Sequence, residues 1–368
     1  MLKEVRIENY KSIHKLKLEL GRVTVLIGEN GCGKSNILEA IALASAAVDN
    51  KLDNEFLASR GIRVTEPQLM RSAFEMDNLV KKIKIDLRWN NEQEFKLFLQ
   101  NDNSPYSQWV NDKSYPCFFP LYDFMGYYTG TSSLENNKIL QHQAYKIISL
   151  GKFLIYSPEN QALRTFEKEG QIQPLGINGE GLFKLLKVLS SDNQEQLNEI
   201  KKKLQLIDWF QDFEAPPNLS SIQNSLQIKD RYLDPDLVYF DQRSSNEGFL
   251  FLLFYFALFV SDITPKFFAI DNIDASLNPR LCRRLIQELV ELAKKHDKQV
   301  IFRTHNPAVL DGLDLDDDEQ RLFVIHRNQL GHTKARRILK PEPLEGQEPV
   351  KLSEAFLRGY IGGLPKNF

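Results

Sequence analysis

Gly28-Glu29-Asn30-Gly31-Cys32-Gly33-Lys34-Ser35 is a complete G-x-x-x-x-G-K-S phosphate-binding loop. It follows the apolar stretch Val23-Thr24-Val25-Leu26-Ile27 and opens into Asn36-Ile37-Leu38-Glu39-Ala40-Ile41-Ala42. The loop therefore joins an expected strand to an expected helix, which is the setting the motif requires. Gly28, Gly31 and Gly33 let the backbone wrap a triphosphate, and the loop and helix N–H groups aim at phosphate oxygens. Lys34 spans the β and γ oxygens and Ser35 can ligate Mg2+. Asn30, Cys32 and Asn36 complete the expected ATP cradle. Cys32 holds a free position of the motif, so we read it as a small tolerated residue and not as a redox switch.

The chain has 368 residues, enough for one large core or two domains. A formal net charge of −2 argues against strong global attraction to nucleic acid, although a local basic face survives that argument. Cys32, Cys117 and Cys282 are scattered, odd in number and form no C-x-x-C pair, so reduced thiols in a cytoplasmic setting are expected. The N-terminus does not read as a signal peptide. The longest apolar run, Phe249 to Val260, is twelve residues, too short for a bilayer and better read as a buried helix. No membrane partner is expected.

Three short strands, Leu2–Ile7, Lys15–Leu20 and Val23–Ile27, precede the loop, and a helix covers 36–48. We divide the chain into an N-terminal core part with the phosphate loop (1–50) and an inserted β-containing lobe (51–150). A core strand plus helical lobe (151–235), a C-terminal core part (236–340) and a tail (341–368) follow. The lobe carries an alternating strand at 82–89, and Phe153-Leu154-Ile155-Tyr156 resumes the core pattern. Residues 180–215 have helical period and stop at Pro216-Pro217. Beyond 236 come strand Leu237–Phe240, helix Phe249–Val260, strand Phe267–Ile270, helix Arg280–Lys295, strand Gln299–Thr304 and strand Leu322–His326. Strands alternating with amphipathic helices imply a parallel sheet.

A phosphate-loop enzyme needs an acid on a second strand, to hold Mg2+ beside the phosphates. Phe267-Phe268-Ala269-Ile270-Asp271 supplies it, with Asp271 at the carboxyl end where open α/β sheets bind ligands. The next strand ends in Thr304-His305-Asn306-Pro307, which puts His305 within reach of a γ-phosphate or an attacking water.

This order resembles the ATP-binding-cassette-type heads of the SMC, RecF and OLD ATPases. Arg6-Ile7-Glu8-Asn9-Tyr10-Lys11-Ser12-Ile13 is similar to their first strand and turn, which places Lys11 at the nucleotide. The resemblance implies an α/β P-loop NTPase with a mainly parallel sheet, an N-terminal antiparallel β portion and a helical lobe. It implies two heads sandwiching ATP and Mg2+, each nucleotide being completed by the partner's signature turn. Ser244-Ser245-Asn246-Glu247-Gly248 stands in that place, with Asn246 in the serine position or one extra residue after Ser245; Ser245, Asn246 and Gly248 are the residues expected to act in trans. Gln68 is the candidate for the glutamine that touches Mg2+ and water. After the magnesium aspartate the family usually carries a glutamate base, whereas this chain has Asn272. A carboxamide orients water but takes no proton, so slow hydrolysis is expected, with Asp274 or His305 as substitute base.

The leading functional expectation is an ATP-gated homodimer, or higher homo-oligomer, controlling an effector protein encoded nearby. Compact members of the family often serve bacterial anti-phage modules, and the tail Leu352–Pro365 resembles the ends of such ATPases. The alternative is a RecF-like ATPase with DNA as partner, using Arg280, Arg283, Arg284, Lys294, Lys295, Lys334, Arg336 and Arg337. A nuclease is disfavoured, because only 63 residues follow His305 and no metal-binding acidic set is paired with Asp314-Leu315-Asp316.

Overall fold

In a computed structural model of the chain, the described residues are 1–90, 93–104, 107–112, 149–165, 174–215, 225–340 and 350–364. Cys117, Pro216, Pro217 and Pro365 lie outside them. One sheet has six strands in the order β13-β12-β3-β11-β10-β7. These are β3 (Val23–Ile27), β7 (Ile155–Tyr156), β10 (Phe267–Asp271), β11 (Gln299–Arg303), β12 (Gln320–Arg327) and β13 (Thr333–Ile338). All pair in parallel except β13, which runs antiparallel to β12. The second sheet is antiparallel, in the order β2-β1-β4-β5-β6. It holds β1 (Leu2–Tyr10), β2 (Ile13–Glu19), β4 (Ile83–Trp89), β5 (Glu94–Gln100) and β6 (Val110–Asn111). Strands β4 to β6 thus extend the sheet begun by β1 and β2.

Alternation along the parallel strands sorts their side chains onto two cores. Leu26, Ala269, Ile301, Phe323 and Ile325 face helix α1 (Lys34–Val48) and the antiparallel sheet beyond it. Val25, Ile270, Val300, Phe302 and Val324 face the opposite layer of helices. Helix α1 is flanked by sheets, which is why every residue from Ile37 to Ala47 is buried. The opposite layer is centred on the helix Glu247–Val260, whose residues Phe249 to Val260 are all buried. Burying each large side chain contributes roughly 1.5–3 kcal/mol, so the apolar run is accounted for by the core. No helix among the described residues is long and apolar enough to cross a membrane.

Two sequence expectations are corrected. The helical reading of 180–215 holds through Leu182–Asp192 and Gln194–Leu204, but Phe210–Glu214 is a strand, β8, paired with β9 (Gln227–Asp230). The register shifts between Phe210 and Asp212. That bulge turns Phe210 and Phe213 to the same buried side, and their three-residue spacing imitates a helix. Leu237–Phe240 is not a strand. Only Phe240 makes a bridge, to Ile228, and Leu237 is 62% exposed. With a single bridge at its end, the apolar run joins no ladder among the described residues.

Candidate nucleotide site

The strand order explains how residues far apart in sequence converge. β11 lies between β3, which leads into the phosphate loop, and β10, which ends in Asp271. In register, Arg303 sits opposite Asp271 on one side and Leu26 on the other. The carboxyl ends of three adjacent strands therefore carry the loop, the acid and the Arg303–His305 segment.

The loop is gripped from below. Gly33 has φ +104°, and a Cβ there would collide with Thr333 Oγ1 and come within 2.7 Å of Ser12 Oγ. A side chain is excluded by both conformation and space. Thr333 Oγ1 donates to Cys32 O at 2.9 Å and lies 2.6 Å from Ser12 Oγ, which accepts from Asn36 Nδ2 at 2.6 Å. The β1–β2 turn and the start of β13 thus hold the loop through one hydroxyl pair. The tail reaches it too: Gly363 (φ +88°) lies against Gly28, Val324 and Phe356, with room for no side chain.

Lys34 is 3% exposed, and its Nζ donates to Gly28 O (2.7 Å) and Glu29 O (2.8 Å). Burial lowers its pKa, with the Cys32 sulfur opposing that shift and Arg303 adding to it. Cys32 is buried under the loop with Sγ 3.5 Å from Lys34 Nζ. It is not at the surface, as a freely variable loop position would be. Ser35 and Asn36, half-buried, open α1.

Asp271 is paired with Arg303 Nη1, which also donates to Asn272 Oδ1 at 3.1 Å. Arg303 Nη2 lies 2.9 Å from His305 Nε2. A guanidinium only donates, so Nε2 is the acceptor and the neutral ring carries its proton on Nδ1. Burial, Lys34 and Arg303 hold the His305 pKa below its ordinary value, which favours that neutral form. Asp274 Oδ1 accepts from Thr304 Oγ1 at 2.5 Å, which occupies one oxygen of that second candidate base. Asn272 is exposed with φ 54°, a left-handed conformation that Asn tolerates better than most residues.

Other predicted residues are placed differently. Lys11 Nζ bonds the buried carboxylate of Glu39 in α1 and donates to Arg63 O at 2.7 Å. It neutralises a buried charge with Arg63, whose Nε is 2.5 Å from Glu39 Oε1, and is not aimed into the loop. Arg63 also reaches Asn36 Oδ1 at 3.0 Å. Gln68 stands exposed on the short helix Pro67–Met70, tethered where Lys11 N donates to Met70 O. In the signature segment, Asn246 is exposed and caps the helix Glu247–Val260, accepting from Phe249 N at 2.8 Å. Gly248 is half-buried in its first turn. Ser245 is 3% exposed with its Oγ buried, so the hydroxyl is turned away from solvent. Asn246 is the exposed one of the two.

Sequence reasoning missed Arg303, Arg63, Thr333 and the contact of the tail with the phosphate loop. Arg303 alone left a signal: a cation ending an otherwise apolar strand at the ligand edge of the sheet. The residues fit a magnesium–triphosphate. The loop and the start of α1 suit phosphate, and the Asp271 carboxylate already attracts a positive group, the guanidinium of Arg303.

The AAA ATPase domain family matches residues 1–240. An uncharacterised protein of Methanocaldococcus jannaschii is 29% identical over 113 residues, and the chain spans about half the length of that curated relative (50%). Among solved structures, the SMC head bound to the C-winged helix domain of ScpA superposes with a TM-score of 0.59 at 15% identity, covering 92% of this chain and 98% of that one. An SMC head with an extended coiled coil, bound to the C-terminal domain of ScpA derived from Pyrococcus furiosus, gives 0.54 at 12% identity, covering 92% and 96%. The expected α/β head, with its antiparallel N-terminal sheet, is the observed fold.

Proposed function

The chain belongs to the AAA ATPase domain family, and from that premise we propose that it is a slow ATP switch whose two copies close on nucleotide. The observation that carries this reading is the meeting of Asp271, Asn272 and His305 on one cation, Arg303, at the carboxyl edge of the sheet, on the strand next to the one that leads to Lys34. Lys34 would turn from the loop carbonyls to the phosphate oxygens, and Ser35, Asp271 and Gln68 are the residues that would hold Mg2+. Bound Mg2+ would neutralise charge on the β and γ oxygens. Asn272 orients the attacking water through Oδ1 without taking its proton. His305 Nε2, neutral and freed as Arg303 moves, is the acceptor for that proton. Asn246, Gly248 and the first turn of their helix complete the partner's site, where backbone N–H groups favour an anion.

Arg303 and Mg2+ compete for Asp271 in this scheme. Removing a charge-assisted pair worth roughly 1.5 kcal/mol changes a binding constant about tenfold. Arg303→Ala is therefore expected to lower the Mg2+ concentration at which ATP binding half-saturates by about tenfold, measured by calorimetry across a Mg2+ series. An unchanged Mg2+ dependence contradicts the competition.

We propose that closure acts on an effector protein encoded nearby, in anti-phage defence. The likeness of the tail to such ATPases supports this, as does the head of this fold that carries a winged-helix domain of ScpA. The DNA-binding alternative gains less support. Arg284, Lys294, Lys295 and Arg337 are engaged by Glu288, Asp317, Glu199 and Asp318.

Complementation tests the composite site. Lys34→Ala and Gly248→Asp are each expected to lose hydrolysis, and their mixture to recover one working site per pair. A mixture as inactive as its components contradicts completion in trans.

A further inference from the structure

A second cluster lies beneath the phosphate loop, outside the nucleotide chemistry. His14, the second residue of β2, stacks on His332, which immediately precedes β13, with ring centroids 4.8 Å apart and planes inclined by 12°. Glu75 joins them, and one ligand atom from each residue falls within 4.8 Å of the other two. Atoms so spaced can all lie within about 2.8 Å of a common point, against ~2.0–2.2 Å for His and Glu bonds to zinc. A sub-ångström contraction closes the site, and Glu75 is the exposed member able to supply much of it.

Two features set this cluster apart from a chance surface grouping. His14 Nδ1 is buried with no hydrogen-bond partner, and an unpartnered buried polar atom is costly. His332 is 5% exposed, with its backbone N held by Asn328 Oδ1 at 2.9 Å and Phe74 packed edge-on at 5.3 Å.

We propose that His14, Glu75 and His332 bind a divalent transition-metal ion of the zinc class. Imidazole nitrogens select zinc-like ions, whereas Mg2+ and Ca2+ prefer all-oxygen sets. The position suggests what the ion does. Ser12 lies two residues before His14 and Thr333 one residue after His332, and this hydroxyl pair grips Cys32 O and Asn36. A metal joining the two histidines fastens the β1–β2 turn to the β12–β13 hairpin and so braces the floor of the loop.

The test uses the full chain, freed of metal with a chelator and titrated with Zn2+ against a chromophoric competitor. Asp271→Asn is the background throughout, which removes ion binding at the nucleotide site. One Zn2+ per chain is expected, with a rise in melting temperature and visible absorption when Co2+ replaces it. Glu75→Gln, exposed and benign to the fold, is expected to weaken Zn2+ binding by about tenfold or more, and His14→Ala with His332→Ala to abolish both binding and the thermal shift. Failure of the parent chain to bind Zn2+ tighter than millimolar overturns the proposal. So does a double-histidine variant that melts normally without metal yet keeps the parent affinity.

Discussion

Lys34→Ala is expected to abolish ATP retention. Its Nζ is the loop's own cation, buried and held on Gly28 O and Glu29 O within reach of where phosphates lie. Losing two charge-assisted hydrogen bonds, each roughly 1.5–3 kcal/mol, weakens binding by about 10²–10⁴-fold. Calorimetric titration with Mg-ATP checks this, and thermal melting of the same sample separates lost binding from lost folding. The Gly28 and Glu29 carbonyls lose their donor, the first of them in a buried bond, so a modest fall in melting temperature is expected beside the much larger loss of binding. Binding within tenfold of the parent would remove the loop from the account.

Asn272→Glu carries the second large effect. General-base catalysis is worth about 10²–10⁴-fold, and a carboxylate at 272 stands beside the same Arg303 that now bonds both the Asn272 carboxamide and His305. Turnover is expected to rise about a hundredfold, at the low end of that range because the left-handed backbone at 272 (φ 54°) suits Asn better than Glu. That conformational cost, about 1 kcal/mol, appears as a lower melting temperature and is read independently of the rate. Asn272→Ala is the companion: it is expected to slow turnover further, since nothing then orients the water. A glutamate variant that folds, binds ATP and turns over at the parent rate contradicts the assignment of Asn272 as the cause of slowness.

Much of this architecture was legible from local pattern. The phosphate loop with its flanks, the apolar strand ending in Asp271, and the adjacent strand leading to His305 are each determined within about ten residues. Hydrophobic period and strand-end chemistry identify such segments reliably. The helix Phe249–Val260 was legible as buried for the same reason. What escaped depends on register and long-range contact. Arg303 is meaningful only once β11 is known to lie level with Asp271. Thr333 is an ordinary strand residue until β13 brings it beneath Gly33, 300 positions earlier in the chain. Phe210 and Phe213 read as helix because a bulge, invisible in the sequence, realigns them. Lys11 was read toward nucleotide from its place after the first strand, yet the buried carboxylate of Glu39, one turn into α1, claims it. In the signature turn, the resemblance left Asn246 and Ser245 as alternatives for the serine place, and burial leaves Asn246 as the exposed cap.

The most direct measurement is the mass of the purified chain by light scattering, taken without nucleotide, with Mg-ADP and with Mg-ATP. The account predicts the single-chain mass of 42.6 kDa in the first two conditions. It predicts about twice that with Mg-ATP, persisting for many turnover times and absent in Lys34→Ala. One mass in all three conditions, with ATP demonstrably bound, contradicts it.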